Sequence, residues 1–228
     1  MVIPNAVDVN ECLALIEPGM RRRVLDRLGA AAASPLIVTV CRLAPNKGLD
    51  VGLEALSRLH SKLPAAWRWV VVGDGPLRES LGRTVRRLGL SERVRLAGNL
   101  TDAEMHNLLA SADLFLNPTL YEGSSLVTLE AMAHGCAVIA TRAGGIPDKI
   151  EEGVTGWLAE PGDPNSLVEA VLRWLRATGE ARSRVRQQAR ERCRERFDWP
   201  LCVDRYLEAI RRLSPASGCN KSPSSCGT

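Results

Sequence analysis

With 228 residues and 45% hydrophobic content, the chain is long enough to bury a core as one large domain or two small ones. Its net charge of +4, from 30 basic and 26 acidic residues, is too small an excess to imply a nucleic acid partner. No apolar run approaches the roughly 18 residues of a bilayer span, and Met1 to Asn5 lack the basic and apolar regions of a signal peptide. Seven cysteines, with no C-x-x-C spacing and no clustering with the three histidines, argue against a zinc site and a disulfide framework. No metal is expected, and a reducing cytoplasm is the expected compartment.

Residues 1 to 10 read as an irregular lead-in, and Arg21 to Ala33 as a helix. Short β-branched apolar runs then recur at Leu36 to Cys41, Trp69 to Val72, Val94 to Ala97, Leu114 to Asn117, Ala137 to Thr141 and Thr155 to Leu158. Segments of helical period separate them, the pattern of βαβ units in a parallel sheet. Pro76 opens a helix that stops at Leu88-Gly89. Thr101-Asp102-Ala103-Glu104 is a capping box ahead of Met105 to Ser111. A helix starts near Ser125, a short one spans Asp148 to Glu151, and Asp163-Pro164 caps another over Asn165 to Arg176. Helices over Glu180 to Arg196 and Pro200 to Arg212 follow. The expected fold class is α/β, a doubly wound parallel six-stranded sheet of Rossmann type over residues 1–213, with 214–228 as a disordered tail rich in Ser, Pro, Gly and Cys.

The chemistry gathers in the loops after the strands. Tyr121-Glu122-Gly123-Ser124-Ser125-Leu126, continuing to Glu130, sets two carboxylates around a glycine turn and a helix start, where free backbone N–H groups favour an anion. A nucleotide sugar presents a matching diphosphate between hydroxyl-bearing ends. Arg42 and Lys47 follow the first strand at the sheet edge where open α/β sheets bind ligands, and two cations there can neutralise a diphosphate. Read alone, the pair suits solvent-exposed loop cations better; the carboxylate motif on a neighbouring loop of the same edge reverses that in favour of binding. Gly73-Asp74-Gly75-Pro76 suits a tight strand-to-helix turn, since no G-x-G-x-x-G is present. Gly144-Gly145 lets the backbone approach a ligand or a neighbouring loop. His134 reads as a helix C-terminal cap, and Leu126, Leu129, Met132 and Ala133 as core.

Taken in order, Ile3 to Asp8, Arg42 to Gly48, Val72 to Pro76, Glu122 to Ala133, Val138 to Thr141 with Gly144-Gly145, and Gly153 to Leu158 resemble the C-terminal, donor-binding domain of retaining GT-B glycosyltransferases of family 4, the glycosyl transferases group 1. The resemblance covers about residues 2 to 212 and implies half of a GT-B fold. It implies transfer of a sugar, with retention, from a nucleotide diphosphate sugar to an acceptor. Arg42 and Lys47 would bind the diphosphate, Glu122 the sugar hydroxyls, and Glu130 the ribose. Backbone N–H groups of Gly123, Ser124, Ser125 and Leu126 would face sugar and phosphates, and Gly98 and Asn99 would lie near the base. It implies no cofactor and no metal, the cations stabilising the departing charge. Cys41 and the Ser124-Ser125 pair depart from the common pattern and would reshape the sugar pocket, as Ala6 and Ala137 also depart from it.

The resemblance begins where a second domain begins, so the acceptor-binding N-terminal half is expected to be absent. Leu201, Val203, Tyr206, Leu207 and Ile210 would then be partly exposed. Two readings of the whole follow: the donor-binding part of a glycosyltransferase, or a truncated, non-catalytic nucleotide-sugar-binding or partner module. Twelve arginines against six acids over residues 171–213 suit a solvated helix face first, and peripheral contact with an anionic membrane second.

Overall fold

The computed structural model describes residues 3–213; the tail 214–228 lies outside them. Six parallel strands, β1 (Leu36–Val40), β2 (Arg68–Val72), β3 (Val94–Gly98), β4 (Leu114–Asn117), β5 (Ala137–Thr141) and β6 (Trp157–Ala159), form one sheet in the order β3-β2-β1-β4-β5-β6. Around it lie α1 (Val9–Ala14), α2 (Pro18–Arg27), α3 (Leu49–Leu59), α4 (Arg78–Arg87), α5 (Asp102–Leu109), α6 (Leu126–Ala133), α7 (Pro164–Arg176), α8 (Gly179–Phe197) and α9 (Trp199–Leu213). The parallel six-stranded sheet has the doubly wound, Rossmann-like form expected from the sequence.

Strand side chains alternate between faces, and both faces are covered, which is why the strands read as near-continuous apolar runs. Val38, Val70, Phe115 and Val138 pack with residues of α1, α2, α5, α6 and α8. Ile37, Trp69, Leu116 and Ile139 pack with residues of α3, α4 and α7 on the other side. The indole of Trp69, buried in that layer, donates to Thr39 Oγ1 at 2.9 Å.

The boundaries differ from expectation where local chemistry intervenes. The lead-in is not irregular to residue 10: Asp8 accepts from the Glu11 N–H at 2.8 Å and starts α1 at Val9. The segment from Arg21 to Ala33 is also shifted, because Pro18 occupies the first turn of α2 and Gly29, at φ 66°, ends it. There the Ala30 N–H reaches back to the Leu25 carbonyl at 2.8 Å, a left-handed helix stop. Thr155 lies in a turn rather than a strand, since its hydroxyl accepts from the Glu151 N–H at 2.9 Å; β6 starts at Trp157. Asp148 and Lys149 lie in a turn, and Ile150 and Glu151 have no regular structure, so no helix forms there. The capping box of Thr101 and Glu104 and the Asp163 cap stand as expected.

Residues 5–9 fold back onto the junction of α8 and α9. The Val7 N–H donates to the Phe197 carbonyl at 3.0 Å and the Trp199 N–H to the Val7 carbonyl at 2.9 Å. Beyond that junction α9 is sparsely covered: Trp199, Leu201, Tyr206, Leu207, Ile210 and Leu213 are exposed.

Candidate functional site

The strand order reverses direction at β1 and β4. The chain leaves β1 towards β2 and β3 on one side, then returns beyond β1 to β4, β5 and β6. Loops leaving β1 and β4 therefore diverge, opening the crevice in which open α/β sheets bind ligands. The loop after β1 carries Arg42 and Lys47; the loop after β4 carries Glu122.

These two loops are clamped by backbone. The Asn46 carbonyl accepts from the Leu120 N–H at 2.8 Å and from Thr119 Oγ1 at 2.8 Å. Pro45–Lys47 form a single 3-10 turn, and Gly48 enters α3 at φ 58°. A Cβ on Gly48 would stand 2.1 Å from the Pro118 carbonyl oxygen, so only glycine permits this approach. The clamp brings Lys47 Nζ to 2.6 Å from Glu122 Oε2, with side chains only 19% and 17% exposed. Arg42 lies on the same loop with its side chain in solvent. Cys41 sits behind the pair, its thiol pushed up to about 11 by burial, with Lys47 opposing and Glu122 adding to the rise.

The Ser124-Ser125 pair divides its work. Ser125 is buried as the N-cap of α6, bonded to the Thr128 N–H and hydroxyl, so its hydroxyl serves the helix. Ser124 instead accepts at 2.8 Å from Lys149 Nζ. Lys149 is 2% exposed, and burial lowers its pKa while Glu122 and Asp148 oppose that. The sequence reading missed this residue. A signal was present: the chain has four lysines among 30 basic residues, and this one follows the glycine pair at the C-terminal end of β5.

Gly144-Gly145 meets a neighbouring loop: the Gly145 N–H donates to the Gly123 carbonyl at 3.1 Å. Glu130 lies on α6 with Leu126 beside a cleft of about 320 Å³ that reaches Asp102, His106 and the lead-in at Ala6 to Asp8. Burial, then Asp102, raises its carboxyl pKa. Leu126 is 45% exposed and is not a core residue, because the helix start turns it towards this cleft. Gly98, at φ 75°, ends β3 and Asn99 beyond it is exposed. They stand two strands from β1, about 10 Å at ordinary strand spacing, on the same edge.

Other polar groups have local tasks. Asp74 accepts from the Gly75 N–H at 2.7 Å and lies 3.8 Å from Arg78, a turn and helix start. Arg142 pairs with Glu160 at 3.2 Å and Glu152 at 3.7 Å. His134 occupies the C-cap of α6, yet its ring meets His106 at 2.8 Å instead of the helix end. The carbonyls just past α6 are served by Arg186, which donates to Gly135 at 2.6 Å, and Arg190, which donates to His134 at 3.1 Å. Hollows of about 370 and 590 Å³ beside Asp113 and Gly135 lie where strands begin, opposite the edge that binds ligands in this architecture. No helix among the described residues is long and apolar enough to cross a membrane.

The family model for glycosyl transferases group 1 matches residues 34–177. The chain belongs to that family. It is 39% identical to a sulfoquinovosyl transferase of Arabidopsis thaliana over 168 residues, 72% of this chain and 31% of that protein. It is 30% identical to a D-inositol 3-phosphate glycosyltransferase of Mycobacterium bovis over 206 residues, 88% of this chain and 42% of that protein. Anabaena HepE in complex with UDP superposes with a TM-score of 0.81 at 27% identity, over 93% of this chain and 57% of that one. This member of the glycosyl transferases group 1 thus spans less than half the length of those two relatives and just over half of the superposed structure.

Proposed function

We propose that this chain is the donor-binding part of a retaining glycosyltransferase that takes a sugar from a nucleotide diphosphate sugar. The observation that carries the reading is the Lys47–Glu122 contact at the β1/β4 crevice, which puts a cation for phosphate and a carboxylate for sugar hydroxyls side by side. The Anabaena relative, solved with UDP and with UDP-glucose, supports a uridine nucleotide as the first probe.

In this reading Arg42 forks onto the diphosphate and Lys47 adds a point charge. Glu122 accepts from sugar hydroxyls, and the N–H groups of Gly123 to Leu126 face the sugar and phosphates. Glu130 accepts from the ribose hydroxyls, and Gly98 and Asn99 flank the base. As the bond between the sugar's anomeric carbon and the phosphate oxygen breaks, negative charge grows on the departing diphosphate. Arg42 and Lys47 stabilise that charge, a role worth about 10²–10³ in rate for one aimed donor, and no metal is invoked. The acceptor hydroxyl attacks from the leaving-group face and passes its proton to the departing phosphate oxygen, which preserves the anomeric configuration.

The acceptor comes from another domain or chain, docked beside the crevice; the exposed apolar face of α9 supports this. A non-catalytic nucleotide-sugar-binding module is the second reading, favoured by the same uncovered face. Arg186, Arg190 and Arg192 are held on backbone carbonyls, leaving Arg184, Arg194 and Arg196 exposed for peripheral contact with an anionic membrane. A cytoplasmic setting suits the buried, unpaired Cys12, Cys136 and Cys193.

Calorimetry with UDP, GDP and their glucose and mannose conjugates tests the reading. One nucleotide should bind, and Arg42→Ala and Glu130→Ala should each weaken it at least tenfold, ~1.4 kcal/mol. Heat from none of them would refute the donor site. Hydrolysis or transfer of the bound sugar on adding an acceptor-binding domain separates enzyme from module.

A further inference from the structure

Among the described residues, Lys149 is the only lysine, arginine or carboxylate in the buried set. It lies in a turn between Ile146, 0% exposed, and Ile150, 2% exposed, where an apolar side chain would be the inexpensive occupant. Instead an ammonium group lies under the 122–125 loop, donating to Ser124 Oγ at 2.8 Å. Its backbone is fastened from α8, since Arg192 Nε donates to the Lys149 carbonyl at 2.8 Å and Nη2 to the Asp148 carbonyl at 3.0 Å.

Among the described residues no carboxylate makes a contact ion pair with Lys149. A buried ammonium with one neutral hydroxyl as partner is costly unless nearby negative charge offsets it. The carboxylates whose fields reach it are Glu122 and Asp148. Glu122 already touches Lys47 at 2.6 Å, and Lys149 is held on Ser124, two residues farther along the same loop.

Donor binding asks Lys47 to serve the diphosphate. If Lys47 were the sole cation near Glu122, its departure would strand a carboxylate that is 17% exposed, a costly state. We propose that Lys149 is a positioning residue of the donor site, the second counter-charge of Glu122, which lets Lys47 leave that carboxylate for the diphosphate of a nucleoside diphosphate sugar. Charges then balance: Arg42 and Lys47 against the diphosphate, Lys149 against Glu122. The bond to Ser124 fixes the ammonium under the loop that faces the sugar.

This role rests on the donor-site reading, and a double-mutant cycle separates the two. UDP affinity is measured by calorimetry for Lys149→Met in the unsubstituted chain and in the Glu122→Gln background. Lys149→Met should weaken UDP binding about five- to tenfold in the first, because Lys47 stays on Glu122, and less than twofold in the second, where no charge holds it. A purely structural lysine would give equal losses in both, which would overturn the role alone. Failure of the unsubstituted chain to bind any nucleoside diphosphate would overturn the donor site and the role with it. Without ligand, Lys47→Met and Lys149→Met together should lower Tm by more than the sum of their separate effects, since Glu122 then loses both cations; additive effects would contradict the shared carboxylate. If Lys149→Met does not fold, Ser124→Ala, which frees the ammonium, runs the same cycle and should weaken UDP binding only where Glu122 is intact.

Discussion

Gly144 lies so close to the main chain of Glu122 that a Cβ built on it would stand 1.5 Å from the Glu122 carbonyl oxygen. The backbone at Gly144 is also left-handed, at φ 53°. The loop after β5 thereby holds the main chain at Glu122 in place. Gly144→Ala must push the two loops apart, with a cost of about 2–4 kcal/mol from backbone strain and displacement. Gly29→Ala is the control, having φ 66° but nothing within 4 Å of its Cβ, and should cost about 1 kcal/mol. Thermal melts and UDP calorimetry should show nucleotide affinity lost in the first and retained in the second.

Replacing Glu122 by Gln frees Lys47 from its contact partner while keeping the side-chain shape. UDP, which carries no sugar on its β-phosphate, should bind about fivefold tighter, the equivalent of ~1 kcal/mol for releasing a partly buried pair. UDP-glucose should bind no tighter than to the unsubstituted chain if Glu122 accepts from its hydroxyls as proposed. Parallel calorimetric titrations check this, and weaker binding of both ligands would contradict it.

The buried rings of His106 and His134 imply a definite pH response. Burial, then the neighbouring His106 and Arg190, lowers the pKa of His134 from 6.5 to about 4. Burial also lowers that of His106, against Asp102 and Glu11. Because the folded state favours neutral rings, the contribution of each is complete above about 6.5 and is lost as pH falls, the loss for His134 ending near 4. For His134 the span amounts to about 3 kcal/mol. Urea melts between pH 7.5 and 4 should show this slope, and a His106→Leu/His134→Leu variant should be flatter over that interval. Identical slopes would rule the pair out as its source.

The uncovered face of α9 predicts self-association. Trp199, Tyr206 and Ile210 are 52%, 48% and 57% exposed, and a contiguous apolar patch of this kind favours contact with another surface. Tyr206→Glu/Ile210→Glu should reduce association seen by light scattering while changing Tm little, because surface substitutions usually fall within about 0.5 kcal/mol. A large fall in Tm would mean that the face is structural.

Much of the fold was legible because its signals are local. The strands announce themselves through β-branched runs, α5 through Thr101 and Glu104, and α7 through Asp163-Pro164. Misplaced boundaries arose where a side chain or glycine claimed a backbone group, as Thr155 does with the Glu151 N–H and Gly29 does at the end of α2.

What the sequence determined by itself was the inventory: six strands in order, the family motifs, and the presence of Arg42, Lys47 and Glu122 in loops after strands. Only the tertiary structure decided their association, since strand order, not chain order, makes β1 and β4 neighbours and brings Lys47 to a carboxylate 75 positions away. The same folding buries Lys149 beneath Ser124. Local propensity carries no record of such contacts, because they arise from which faces of distant segments exclude water together.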